Sequence, residues 1–135
     1  FRRYKKKRKL INCMQKKAKK LQKILDEAGY NYEVINAWVS WDTSANLASR
    51  TSLYLEKNPE LKISLLHIDV DLYEATDIAL KLLYDHVVTG GIIILDDYGA
   101  FSGANKAVDD FFKNKCEIKK LKYSHAIGYV LKWKK

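Results

Sequence analysis

The sequence predicts an α/β fold with a mostly parallel sheet and an antiparallel strand at its C-terminal end. Short apolar runs at 63–69 and 92–96 have the length of buried strands. Segments whose apolar residues recur three or four positions apart lie between and after these runs, as crossover helices do. The final stretch, HAIGYVLKW, follows another strand-like segment closely enough to pair with it as a hairpin.

The first third of the chain predicts four segments. FRRYKKKRK, residues 1–9, has no apolar periodicity and too much like charge to pack, which predicts a disordered basic arm. LINCMQKKAKKLQKILDEAG predicts an amphipathic helix that ends near Gly29. NYEVINAWVS predicts a strand, and WDTSANLASRTSLYLEKNPEL predicts a loop and then a helix that stops near Asn58-Pro59.

The remaining residues repeat strand and helix. KISLLHID predicts a buried strand, and DLYEATDIALKLLYDHV predicts the helix that follows it. Thr89-Gly90-Gly91 predicts a turn, IIIL a second buried strand, and GANKAVDDFFKN a further helix. CEIKKLKY and HAIGYVLKW predict two final paired strands, with the turn near Ser124.

The composition is that of one folded domain, which we place at 10–135 after the basic arm. The 135 residues are 47% hydrophobic, enough for a core, yet the longest apolar runs are far too short to span a membrane. Cys13 and Cys116 are far apart, with no CxxC spacing and no secretory signal. This pattern favours the reducing cytoplasm.

The net charge of +9 is concentrated at the N-terminal end. Residues 1–23 hold twelve of the 25 Lys and Arg and none of the 16 acidic residues, so the rest of the chain carries thirteen bases against 16 acids. Such an arm is an alternative site for nucleic acid or an anionic membrane through phosphate contacts. No aromatic-interleaved RNA-binding motif accompanies it, which favours a solvated arm over a nucleic-acid-binding module.

Four aspartates follow the two central strands. Asp69 and Asp71 come after the first strand, and Asp96 and Asp97 come after the second. The carboxyl ends of adjacent strands lie about 5 Å apart, so these carboxylates would converge and repel one another unless a cation joined them. Oxygen ligands without a His/Cys cluster favour Mg²⁺ or Ca²⁺, or Mn²⁺, over zinc. Alternatively, Asp71 caps the next helix and Asp97 turns the chain.

Four motifs, in this order and spacing, resemble the macrocin O-methyltransferase family: LLHIDVDLYEAT, YDHVVTGGIIILDDYG, GANKAVDDFF and YSHAIGYVLK. The similarity runs from about Tyr54 to Tyr129. It implies a class I, S-adenosylmethionine-dependent methyltransferase that uses a divalent metal such as Mg²⁺ and acts on a hydroxyl of a sugar or natural product. The implied fold is a Rossmann-like three-layer sandwich. Ala104-Asn105 departs from the family's usual pair before KAVD.

The resemblance also assigns roles to the four aspartates. Asp69, Asp96 and Asp97 correspond to metal ligands, and Asp71 corresponds to the proposed general base. A cation lowers the pKa of a bound hydroxyl and orients its oxygen, and a nearby carboxylate then takes the proton. These functions explain why the chemistry needs clustered carboxylates at this edge of the sheet.

The glycine-rich loop and ribose-binding acid of such methyltransferases have no counterpart upstream. Gly29 is the only glycine before Gly90. We therefore expect the chain to be the C-terminal part of the methyltransferase domain, and the sequence leaves open whether it catalyses methyl transfer by itself. Its half-sheet would leave an exposed strand edge, which predicts self-association.

Three alternatives differ in class. One is a non-catalytic remnant that keeps the fold without binding the cofactor. Another is a metal-dependent phosphatase, because D-x-D after an apolar strand also occurs there, although those enzymes separate their acidic motifs by more than one helix. The third is the nucleic-acid-binding module described above.

Three further residues border the acidic motifs. His67 lies two positions before Asp69 and is either a hydrogen-bonded core histidine or a neighbour of the cation. Tyr73 and Tyr98 flank the aspartate pairs and either line a pocket or pack against the sheet edge.

Overall fold

The computed structural model describes residues 16, 19–29, 44–113, 115–122 and 124–133. The chain divides into two compact units, Phe1–Trp38 and Val39–Lys135. In the first unit residues 19–27 are helical, and Gly29 adopts a φ of 75°, which confirms the predicted end of that helix. The predicted arm at 1–9 and the predicted strand at 31–40 lie outside the described residues.

The second unit alternates helices and strands. In chain order its elements are α1 (Ser44–Lys57), β1 (Ile63–Ile68), α2 (Tyr73–Leu83), a 3-10 turn (Tyr84–His86), β2 (Val87–Leu95), α3 (Ser102–Phe112), β3 (Lys119–Lys120) and β4 (Gly128–Leu131). Each predicted helix and strand within the described part of this unit is present. β3 is much shorter than the CEIKKLKY segment that predicts it.

The sheet has the order β1-β2-β4-β3. β1 and β2 are parallel and are connected by α2 as the crossover helix. β4 pairs antiparallel with β2 and with β3. The predicted α/β class and antiparallel C-terminal strand are therefore confirmed, with the parallel pairing of the described residues confined to β1 and β2.

One face of this sheet is buried under the helices. Strand residues two positions apart share a face, and the buried set is Leu66, Ile68, Ile93, Leu95 and Val130. These side chains belong to a core completed by α2 and α3, with Leu80 and Phe112 almost fully buried. On the opposite face, Leu65 and Ile92 are paired across the strands and exposed. The described residues thus form two layers of the predicted three-layer sandwich.

The predicted turn at 89–91 is wrong, because β2 runs without interruption from Val87 to Leu95. The glycines instead form an irregularity in the strand: the register with β1 shifts between Ile63 and Leu65, and Gly90 has a φ of 82°. A β-carbon on Gly91 would lie 2.7 Å from Val87 Cγ1. Glycine is required here because of a bulge and not because of a tight turn.

No helix in the described ranges is long and apolar enough to cross a membrane. This agrees with the short apolar runs of the sequence.

Candidate functional site

The parallel pairing of β1 and β2 brings three aspartates to one edge of the sheet. Ile68 and Leu95 are partners in the register, so the next residues, Asp69 and Asp96, leave the two strands side by side. The backbone N–H of Asp96 continues the ladder by donating to the carbonyl oxygen of Ile68 at 3.0 Å. This edge is at the carboxyl ends of the strands, where α/β proteins bind ligands.

Asp69, Asp96 and Asp97 each offer one carboxylate oxygen, and these oxygens all lie within 4.8 Å of one another. Asp69 is exposed, Asp96 is half-buried and Asp97 is buried. A set of carboxylate oxygens open to solvent on one side suits a hard divalent cation that keeps several waters. The donor chemistry therefore fits the metal that the resemblance implies.

Asp97 also organises the loop after β1. Its side chain is only 8% exposed, and its Oδ2 accepts hydrogen bonds from the backbone N–H groups of Asp71 at 2.9 Å and Val70 at 3.2 Å. Asp71 is held with a φ of 59°, a left-handed conformation that non-glycine residues adopt rarely. The two amides satisfy one oxygen of the buried carboxylate and leave the other for a further contact.

The carboxyl groups at this edge oppose one another electrostatically. Although the Asp69 side chain is exposed, desolvation by the protein atoms around its carboxyl, followed by the negative charges of Asp96 and Asp97, raises its pKa above the ordinary value of 3.8, against a smaller opposite effect of His67. Burial also raises the pKa of Asp71, with further contributions from the charge of Asp97 and a hydrogen bond to it. Both shifts have desolvation as their largest cause, and the neighbouring negative charges add to it.

The helix-capping interpretation of Asp71 is wrong. Leu72 is the N-cap of α2, and no side-chain hydrogen bond caps that helix. Asp71 lies beside Asp97 but is not one of the three residues whose oxygens converge. For Asp97 the turn interpretation is correct in part, because its carbonyl oxygen accepts hydrogen bonds from the backbone N–H groups of Ala100 and Phe101. Its carboxylate has a second function, since it accepts from the backbone amides of the loop after β1.

His67 is hydrogen-bonded but is not a core residue. Its Nε2 atom is 3.2 Å from Oδ1 of Asp96, and its side chain is 51% exposed. Tyr73 and Tyr98 both turn towards α3, where their hydroxyls donate to Asp110 and Asp109 respectively. The tyrosines therefore pack against the helix that follows the second acidic pair.

Asn105, at the point where the sequence departs from the family pattern, has a local structural contact. The backbone N–H of Gly99 donates to its Oδ1 at 2.7 Å. Ala104 beside it is buried. This pair thus anchors the loop after Asp97 to α3, a function that the sequence pattern does not indicate.

The sequence model of the macrocin O-methyltransferase (TylF) family matches residues 51–126. The chain belongs to this family. The match includes all four aspartates that follow β1 and β2, as well as α2, α3 and most of the turn before β4. Membership in a methyltransferase family argues against the phosphatase alternative.

Solved structures of O-methyltransferases resemble part of this chain. The O-methyltransferase NovP is 29% identical over 54% of this chain and 31% of its own, with a TM-score of 0.50. CalS11, a TDP-rhamnose 3′-O-methyltransferase of calicheamicin biosynthesis, is 27% identical over 64% of this chain and 38% of its own, with a TM-score of 0.58. These likenesses confirm the methyltransferase fold class. This macrocin O-methyltransferase family member spans about a third of the length of those chains, and a comparison with curated proteins finds no match.

Proposed function

We propose that this chain carries the cation-binding and proton-accepting part of an S-adenosylmethionine-dependent O-methyltransferase that acts on a sugar or natural-product hydroxyl. In this proposal residues 10–135 are the C-terminal portion of the methyltransferase domain. The observation that carries it is the convergence of Asp69, Asp96 and Asp97 at the carboxyl edge of the sheet, inside the segment that matches the family.

The three carboxylates would hold a divalent cation, with Mg²⁺ as the first choice because all three donors are hard oxygens. When bound, the cation lowers the pKa of an acceptor hydroxyl and orients its oxygen, and S-adenosylmethionine supplies the methyl group. The carboxylates themselves position this assembly at the end of β1 and β2, and positioning is a large part of the rate of such a displacement.

Asp71 is the proposed general base. Its pKa is raised by burial and by neighbouring Asp97, and a carboxylate with a raised pKa is a better acceptor for a hydroxyl proton. The amide contact from Asp71 to Asp97 fixes the backbone that carries this side chain. Replacing Asp71 with Asn should therefore keep the loop and cation affinity while removing proton acceptance.

A cation titration tests the metal site directly. Isothermal calorimetry with Mg²⁺ or Mn²⁺ should detect binding to the wild type, and Asp96→Asn should weaken it by at least about tenfold, since even outer-shell partners of metal ligands contribute that much. Asp85→Asn is the matched control, because Asp85 is an exposed carboxylate in the 3-10 turn before β2. Equal affinity of the wild type and Asp96→Asn would refute the ligand assignment.

Calorimetry with S-adenosylmethionine tests whether this chain alone uses the cofactor. Binding would support the enzymatic role. Absence of binding at millimolar ligand, with cation binding intact, would instead favour a non-catalytic role for this polypeptide and exclude cofactor-dependent catalysis by it alone.

Self-association is the partner interaction that the sheet suggests. β1 is one of the two edge strands of the described sheet, and it is longer than β3 at the other edge. Unpaired edge N–H and C=O groups favour pairing with another chain. Sedimentation velocity over a range of protein concentrations should reveal a dimer, and a monomer throughout would refute this. The cytoplasmic location remains a prediction that fractionation of cells would test.

A further inference from the structure

Asp96 and Asp97 are adjacent, yet different groups hold their carboxylates. Asp97 is buried, and its Oδ2 accepts from two backbone amides. Asp96 has a side chain that is 37% exposed, and within the described part of the chain its carboxylate is contacted by His67. Its orientation therefore depends on one side chain from the neighbouring strand.

The position of His67 suits it to this contact. In the register His67 pairs with Ile94, two residues before Asp96, so both side chains project from the same face of the sheet. The imidazole reaches forward along β1 to place Nε2 3.2 Å from Asp96 Oδ1. A carboxylate accepts hydrogen bonds and does not donate them, so Nε2 carries the hydrogen in this contact.

We propose that His67 is a positioning residue for the cation site: its Nε2–H donates to Asp96 and orders that carboxylate, which leaves the second oxygen for the cation. This inference rests on the proposed function, since it requires a cation at the cluster. His67 acts through Asp96 and does not itself bind the metal.

The physical reason is preorganisation. A half-exposed carboxylate beside two others rotates away from them unless a donor holds it, and cation binding must then offset both the lost rotamer freedom and the repulsion. Asp97 avoids this through its two amide donors. Donors in the shell around a metal ligand contribute about 10- to 100-fold in affinity, so the loss of His67 should be visible in binding.

Mn²⁺ titration of the full chain, followed by the electron paramagnetic resonance signal of free Mn²⁺, tests the proposal. His67→Leu should weaken Mn²⁺ binding by about tenfold. His67→Gln keeps an N–H donor, and its affinity should stay within about threefold of the wild type. His86→Leu is the matched control. The Nδ1 atom of His86 lies 3.2 Å from the carbonyl oxygen of Leu61, shortly before β1, so this substitution should leave the affinity for Mn²⁺ unchanged.

Each outcome decides the proposal. Wild-type affinity in His67→Leu would overturn it, and so would equal weakening in His67→Leu and His67→Gln, which would indicate direct ligation by the imidazole. If the wild type binds no Mn²⁺, the cation site and this inference fail together. If the wild type binds and Asp96→Asn does not, while His67→Leu is unchanged, the inference alone fails. Thermal unfolding with a chelator should show that both His67 variants remain folded.

Discussion

Asp97 is expected to stabilise the fold as well as the cation site, and substitution separates the two functions. Asp97→Ala would remove the acceptor of the Asp71 and Val70 amides, which lie at 2.9 and 3.2 Å from Oδ2. Asp97→Asn would keep one carbonyl oxygen for those amides but lose the negative charge. The alanine variant should therefore lose stability and cation binding, and the asparagine variant should lose mainly cation binding.

The size of the stability loss follows from the two contacts. A hydrogen bond to a charged group contributes about 1.5–3 kcal/mol, and we take the lower end for the shorter bond and about 1 kcal/mol for the longer one. Relief of repulsion from Asp69 and Asp96 offsets up to about 1 kcal/mol. Asp97→Ala should then lower the free energy of unfolding by about 2 kcal/mol, or Tm by about 8 °C. For Asp97→Asn, weaker neutral bonds and the relieved repulsion nearly cancel, which predicts a change of less than about 1 kcal/mol.

Urea denaturation followed by circular dichroism, with a chelator present in every sample, measures these free energies without a contribution from bound metal. The chelator matters because a bound cation stabilises the folded state by mass action. A loss below about 0.5 kcal/mol in Asp97→Ala would refute the argument, since it would mean that the two amides find equal partners elsewhere. Equal destabilisation by Ala and Asn would also refute it.

Three further predictions concern electrostatics, backbone geometry and packing. The pKa of Asp69 is raised, so the folded state binds a proton more tightly than the unfolded state, and stability falls as the pH rises from 3.8 through the folded pKa. Asp69→Asn should therefore stabilise the metal-free protein more at pH 7 than at pH 3.5. An equal gain in the free energy of unfolding at both pH values, measured by urea titration, would contradict this. Gly99→Ala should lower stability by about 2 kcal/mol or more, because Gly99 has a φ of 120° and a β-carbon there would lie 2.5 Å from the carbonyl oxygen of His125; an unchanged Tm would contradict the strain. Phe112 is 1% exposed and packs edge-on against Tyr84 and Phe111. Phe112→Ala should therefore lower the free energy of unfolding by about 3–5 kcal/mol. A loss below about 1 kcal/mol in the same urea titration would show that the neighbouring side chains close the space and leave no cavity.

Much of the fold was predictable because local patterns and burial agree. The spacing of apolar residues in α2 and α3 and the short apolar runs of β1 and β2 are dictated by one covered face, which a sequence displays directly. The exception was Gly90-Gly91, which is typical of a turn. Within β2 those glycines lie at the irregularity in the pairing with β1. The pairing of the two strands sets their conformation, and the two residue types alone do not reveal it.

The candidate site was predictable in its members but not in their environments. Asp69, Asp96 and Asp97 follow strands that the sequence predicts to be neighbours, so their meeting could be anticipated, and the structure brings their oxygens within 4.8 Å. The amide contacts of Asp97 could not be anticipated, because they depend on the left-handed conformation of Asp71 in a loop from another strand. His67 was ambiguous for a similar reason: its exposure depends on what covers its face of the sheet.

The sequence by itself determined the α/β class and the family, and it predicted that aspartates would meet at the ends of two neighbouring strands, since these follow from periodicity, motif order and residue chemistry along the chain. The tertiary structure decided which oxygens of Asp96 and Asp97 are already engaged and which groups hold them. That division has a physical cause. Strand and helix patterns are local, whereas the contacts of Asp96 with His67 and of Asp97 with Asp71 join residues more than 25 positions apart and exist only once β1 and β2 pair in their observed register.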